Sequence, residues 1–153
     1  MKFTFSLCFL LILIASCNNP DHSEGSAGNS KKANHVNCYR YTGNGYTIIL
    51  KLLYVGKAIS GSLVYNLNGK DKNVGTVQGS MKGDILIADY NFQSEGVLST
   101  RQVAFKKLDD KFIEGYGDII STDNKTVFRN IDSLNFNSSL ALMEIDCDTS
   151  NQN

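Results

Sequence analysis

The chain has 153 residues, 42% of them hydrophobic and 20% charged, with 15 Lys and Arg against 15 Asp and Glu. This composition suits one globular domain and excludes a mostly disordered chain. A formal net charge of zero excludes the basic surplus that phosphate contacts demand, so nucleic acid is not an expected partner.

In chain order, the first element is an address. Lys2 provides a thin positive start, Phe3 to Ala15 is almost wholly apolar, and Ile14-Ala15-Ser16-Cys17 ends the run with small residues before a cysteine. About 14 apolar residues are too few for a hydrocarbon core that needs roughly 20, so residues 1–16 read as a signal peptide and not a span. The Ile-Ala-Ser-Cys end resembles the lipobox of bacterial lipoproteins. That resemblance implies cleavage before Cys17, lipidation of Cys17, and a protein lipid-anchored in the bacterial cell envelope on an extracytoplasmic face, with the outer membrane expected. The acyl chains on one such residue hold a protein firmly to a bilayer. Residues 17–34 then form a lipidated Cys and a flexible tether, with no large apolar side chain and a reach of about 20 to 25 Å.

Residues 35–153 are expected to be a single domain. With Cys8 removed and Cys17 acylated, Cys38 and Cys147 are the only thiols left, and in an oxidising compartment they read as one disulfide.

From His35 onward the hydrophobic pattern has period two, and short turns set the pairings. A two-residue loop at Asn44-Gly45 pairs Tyr39 with Leu50 and Tyr41 with Ile48. Gly56-Lys57 pairs Tyr54 with Ile59, Leu52 with Gly61 and Ile48 with Tyr65. Lys82-Gly83 pairs Gly79 with Leu86, Val77 with Ala88 and Gly75 with Tyr90. Asp109-Asp110 pairs Phe105 with Glu114, Val103 with Tyr116 and Arg101 with Asp118. Asp123-Asn124 predicts one further hairpin into residues 125–131, and Leu140 to Ile145 reads as a last strand or a short helix.

Consecutive short hairpins without a helix predict an all-β fold, an antiparallel meander closing into an up-and-down β-barrel of about eight strands. A two-sheet β-sandwich is the alternative. In the barrel, the last strand returns to the first, bringing Cys147 to Cys38; closing that loop of about 110 residues contributes roughly 4 to 5 kcal/mol in the chain-entropy model. The strand order, short hairpins and Gly61-x-Leu63-x-Tyr65 segment resemble the calycin-type barrels, the lipocalins and avidins. The chain lacks the Gly-x-Trp motif that opens a typical lipocalin and has no Trp.

Chemistry is sparse. His22 lies in the tether and His35 at the domain's threshold; there is no Gly-x-Ser-x-Gly elbow, no His-Glu-x-x-His and no Cys-x-x-Cys. No catalytic residue, metal or cofactor is therefore expected. The informative stretch is Phe92 to Val103. Period two places Arg101 on the apolar face, where an isolated charge is costly and must be paired or lie near a mouth. Arg101, Glu114, Tyr116 and Asp118 form the candidate polar cluster, with Tyr54, Tyr65 and Tyr90 as amphipathic walls. Two readings follow: an internal ion pair with core tyrosines, or a site in which Arg101 orients an anionic or carbonyl-bearing ligand. The corresponding functions are a non-catalytic barrel binding a small apolar or amphipathic molecule, or an interaction or inhibitor lipoprotein that recognises an envelope protein or glycan. For the second, Ser60-Gly61-Ser62-Leu63-Val64-Tyr65 resembles the Ser-Gly-x-x-Tyr segment of lipoproteins that inhibit c-type lysozymes, with one residue too many.

Overall fold

The structure, a computed structural model, describes residues 34–68, 72–94, 96–123 and 125–148. The signal segment, Cys17 and the tether up to residue 33 lie outside the described residues. Among the described residues ten strands follow one another: β1 (His35–Gly43), β2 (Tyr46–Val55), β3 (Ala58–Leu67), β4 (Asn73–Lys82), β5 (Ile85–Ser94), β6 (Val97–Leu108), β7 (Lys111–Gly115), β8 (Ile119–Thr122), β9 (Lys125–Phe128) and β10 (Ala141–Ile145). Strands β1 to β7 pair antiparallel in sequence order, and β10 fits between β7 and β1. Eight strands thereby close into a barrel without a free edge, and the sandwich alternative does not hold. The β8–β9 hairpin lies outside this circle, attached to β6 through a short parallel pairing.

Local sequence explains the registers. Asn44 and Gly45 take φ of 52° and 77°, the mirror-image turn that two-residue hairpins favour, and Tyr39 pairs with Leu50 as predicted. The β2–β3 register also matches the prediction, with Ile48 opposite Tyr65. The β4–β5 register does not: Val77 pairs with Tyr90, Gly79 with Ala88 and Gly75 with Phe92. The turn is Gly83-Asp84 and not Lys82-Gly83, because Gly83, at φ 64°, occupies the first loop position, as Gly56 does at φ 62°. A slip of two residues preserves the faces, so the core prediction survives the error.

The core is Tyr39, Ile48, Leu50, Leu52, Leu63, Val77, Leu86, Tyr90, Phe105, Phe112 and Leu142 with their neighbours, all inward-facing. An eight-stranded barrel is just wide enough to be filled by such side chains. Glycine is required where the wall coils: a Cβ at Gly61 would run into the Lys51 carbonyl oxygen of β2. Cys38 on β1 and Cys147 after β10 form the predicted disulfide, with Cα atoms 5.1 Å apart. Among the described residues, the barrel strands, the core and the disulfide lie between His35 and Cys147.

Alternation of strand direction gives the barrel two distinct ends. His35, Cys147 and the turns at 56–57, 83–84 and 109–110 lie at one. That end carries a satisfied polar plug, in which Lys107 Nζ donates to Tyr39 Oη at 3.0 Å and bridges to Glu144 at 3.3 Å. The opposite end, with the turn at 44–45 and with Gly96, is where the wall opens.

Candidate functional site

The opening has a simple origin in strand length: β6 has 12 residues and its neighbour β7 only 5. Phe105 pairs with Glu114 as predicted, but the ladder ends at Ala104 and Gly115. The predicted pairs Val103–Tyr116 and Arg101–Asp118 do not form. Past Gly115 the chain turns away from β6, and Tyr116 makes a bridge to Asn135 through backbone hydrogen bonds of 3.0 and 2.8 Å. The ring of Phe136 packs against Gly115 and the Leu134 side chain against Gly117, space that side chains at these glycines would fill. The edge of β6 left uncovered is taken partly by β9, with Arg101 opposite Thr126, and Gln102 Oε1 accepts from Phe128 N at 3.2 Å.

Two clefts meet at this gap. The first, of about 290 Å³, is lined by Arg101, Glu114, Tyr116, Ile119, Thr126 and Phe128 among others. The second, of about 400 Å³, lies between the start of β6 and the β8–β9 hairpin, with Phe92, Val97, Leu98, Arg101, Ser121 and Thr126. Arg101 and Thr126 belong to both. The rim is apolar: Val97 is 64% exposed, Leu98 70% and Ile119 56%.

Arg101 sits among aromatic rings, its guanidinium carbon 4.9 Å from the centroid of Tyr65, 5.5 Å from Tyr90 and 5.7 Å from Phe92. Rings facing a cation supply part of the stabilisation that water withdraws. The guanidinium forms no ion pair with any described carboxylate, and its Nε is buried without a hydrogen-bond partner. Glu114, only 5% exposed, faces it from β7. Both carboxylate oxygens are occupied: Tyr65 Oη donates to Oε1 at 2.6 Å across the lumen, and Tyr116 Oη to Oε2 at 3.0 Å. Burial raises the Glu114 carboxyl above its usual range, against the opposing pull of the two hydroxyls and of Arg101. Desolvation lifts the Tyr90 phenol to about 12, and Tyr65 and Tyr116 are raised by burial and then by Glu114. The cluster therefore holds one fixed cation, one carboxyl and neutral phenols.

Of the residues singled out from the sequence, Arg101, Glu114, Tyr116, Tyr65 and Tyr90 come together. Asp118 does not: it is exposed beyond the end of β7, and its carbonyl accepts from Arg129 N at 2.7 Å. Tyr54 lies at the opposite end, where its ring stacks on His35 at 4.4 Å. Phe92, Ile119, Thr126 and Phe128 complete the clefts. Phe92 shares its face with Tyr90, so period two was sufficient to place it; Thr126 and Phe128 depend on a parallel pairing that hairpin logic does not generate.

No family model, no curated protein and no solved structure matches this chain. The eight-stranded antiparallel barrel is consistent with a calycin-like barrel, and a fold alone assigns no function.

Proposed function

We propose that the protein is a non-catalytic binding protein of the bacterial cell envelope, lipid-anchored through Cys17, that holds a small amphipathic molecule at the open end of its barrel. The observation that carries this reading is the Arg101 guanidinium, with an unpartnered Nε at the junction of two clefts whose rims are exposed Val97, Leu98 and Ile119. Ligand sites combine apolar walls with a few fixed polar groups, and this groove has that composition. The packed core supports a ligand held at the rim and not within the barrel. Binding without turnover fits Glu114, whose two oxygens are engaged by tyrosine hydroxyls.

A second reading, recognition of an envelope protein or glycan, is favoured by β8, which ends the sheet order with a free edge and exposes Ile119 and Ile120.

Native mass spectrometry of residues 35–153 expressed in the periplasm separates the two. A retained mass of a few hundred daltons, lost in Arg101→Met, supports the small-molecule site. An apo mass that stays apo after incubation with dodecanoate, dodecanol and dodecylamine refutes it and leaves the interaction reading.

A further inference from the structure

Resting on that reading, we propose that the ligand's head group is a single carboxylate seated on Arg101, and that its entry drives uptake of one proton by Glu114. The argument is a count of charges in an enclosed space. The groups facing Glu114 are Tyr65 of β3, Tyr90 of β5, Arg101 of β6 and Tyr116 just past β7. With the phenols neutral, Arg101 is the one cation and Glu114 the one anion among the described residues lining the first cleft, while Asp123 lines the neighbouring one. Both Glu114 oxygens accept from hydroxyls, the hydrogen bonding of an ionised carboxylate; it forms no ion pair with Arg101, whose Nε is left without a partner.

A carboxylate fits that vacancy in valence and in shape, since a guanidinium presents paired donors to two oxygens of one plane. Its arrival leaves two anions facing one cation in a region where Glu114 is nearly water-free. Like charges this close do not both stay ionised at low dielectric; one takes a proton. The incoming carboxylate is held by the guanidinium, whereas Glu114 is held by hydroxyls that rotate. The proton comes from solvent and ends on a Glu114 oxygen. Tyr116, half exposed, can reverse its hydrogen bond and accept from the new O–H while donating to water. A dianionic phosphate leaves one charge over after the same step, so the arrangement selects a monoanion. The neighbouring cleft with Phe92, Val97 and Leu98 then takes an apolar tail.

This step is a regulation as well as a specificity. Once pH exceeds the proton affinity of Glu114 in the free protein, affinity for the carboxylate falls by up to tenfold per pH unit for each proton taken up.

The test is calorimetric titration of residues 35–153 with dodecanoate, dodecanol and dodecylamine, in phosphate and in Tris, whose ionisation enthalpies differ. The expected result is that dodecanoate binds at least tenfold more tightly than the alcohol or the amine at pH 7. Its apparent enthalpy should depend on buffer with a slope near one proton taken up. In Glu114→Gln, dodecanoate should bind more tightly and the buffer dependence should vanish. In Arg101→Met, binding should weaken and the preference for the acid over the alcohol should disappear. Equal affinity for acid and alcohol, or dodecanoate binding with no buffer dependence in the wild type, overturns this inference and leaves the amphipathic groove standing. Failure of all three probes to bind overturns the groove as well.

Discussion

Tyr65→Phe and Tyr90→Phe remove the same atom from the same kind of buried ring, and the structure demands opposite outcomes. Tyr65 Oη donates at 2.6 Å to Glu114. A hydrogen bond to a charged acceptor contributes about 1.5 to 3 kcal/mol net, so Tyr65→Phe, which leaves Glu114 with Tyr116 alone, should cost about 2 kcal/mol at pH 7. Tyr90 is fully buried, and its hydroxyl has no partner among the described residues. An unsatisfied buried polar group costs about 1 to 3 kcal/mol, so Tyr90→Phe should stabilise by about 1 kcal/mol. The two variants then differ by about 3 kcal/mol. With a urea dependence of about 1.5 kcal/mol per molar for a domain of this size, their unfolding midpoints should lie about 2 M apart on either side of the wild type. The assay is urea unfolding of residues 35–153 followed by far-ultraviolet circular dichroism, with the disulfide intact. Midpoint shifts in the same direction, or a Tyr90→Phe variant weaker than wild type by more than about 1 kcal/mol, would refute the assignment of satisfied and unsatisfied hydroxyls.

The disulfide joins residues 109 apart and links the first barrel strand to the chain after the last, so the Cys38→Ala, Cys147→Ala double variant should lose about 4 to 5 kcal/mol in the same assay; a loss below about 1 kcal/mol would show that closure of the β1–β10 seam does not depend on it. Glu114 makes stability depend on pH with a definite sign. Its folded carboxyl is raised above 4.5, so its stabilising contribution is fully present below that value and is lost as pH rises through the raised folded value. Glu114→Gln should flatten that part of the stability profile, and an unchanged profile would assign the dependence to other groups. Gly61→Ala forces a Cβ onto the Lys51 carbonyl and should lower the melting temperature by about 10 °C, on the order of 2 kcal/mol; a wild-type melting curve would mean the β2–β3 ladder has slack at that point.

Much of the barrel is legible in the sequence because antiparallel hairpins are local. Once Asn44-Gly45 and Gly56-Lys57 are placed, every pair from His35 to Leu67 is determined, and alternation then delivers the inward set Tyr39, Ile48, Leu50, Leu63 and Tyr65. The Gly83 error shows the limit of the same logic: it moved pairs by two residues and faces by none. The candidate site was readable only in part, for a different reason. Arg101 and Glu114 stand out as charges on an apolar face, a signal independent of pairing. Asp118 entered only through an extrapolated β6–β7 ladder, and nothing in the local pattern of residues 112–118 marks where that ladder stops. The stop is set by Phe136 and Leu134, some 20 residues further on, packing against Gly115 and Gly117. Tyr54 shares a face with Tyr65 and Tyr90, but a face runs the whole height of the wall, and residues at its two ends never meet.

The mismatch between a 12-residue β6 and a 5-residue β7 determines where function can reside. Tyr90, Phe105 and Phe112 pack into the barrel's interior, and Lys107, Tyr39 and Glu144 are linked across its disulfide end. The remaining route inward is the stretch of wall where β6 continues and β7 does not. There the inward-facing residues of β6 that would be buried in a complete barrel, Arg101 first among them, border a cleft instead. A charge at that height would be a liability in a sealed core; beside a gap it is accessible to a ligand and is still supported by three aromatic rings. The gap also lies at the end opposite His35, so the groove and the start of β1 are separated by the height of the wall.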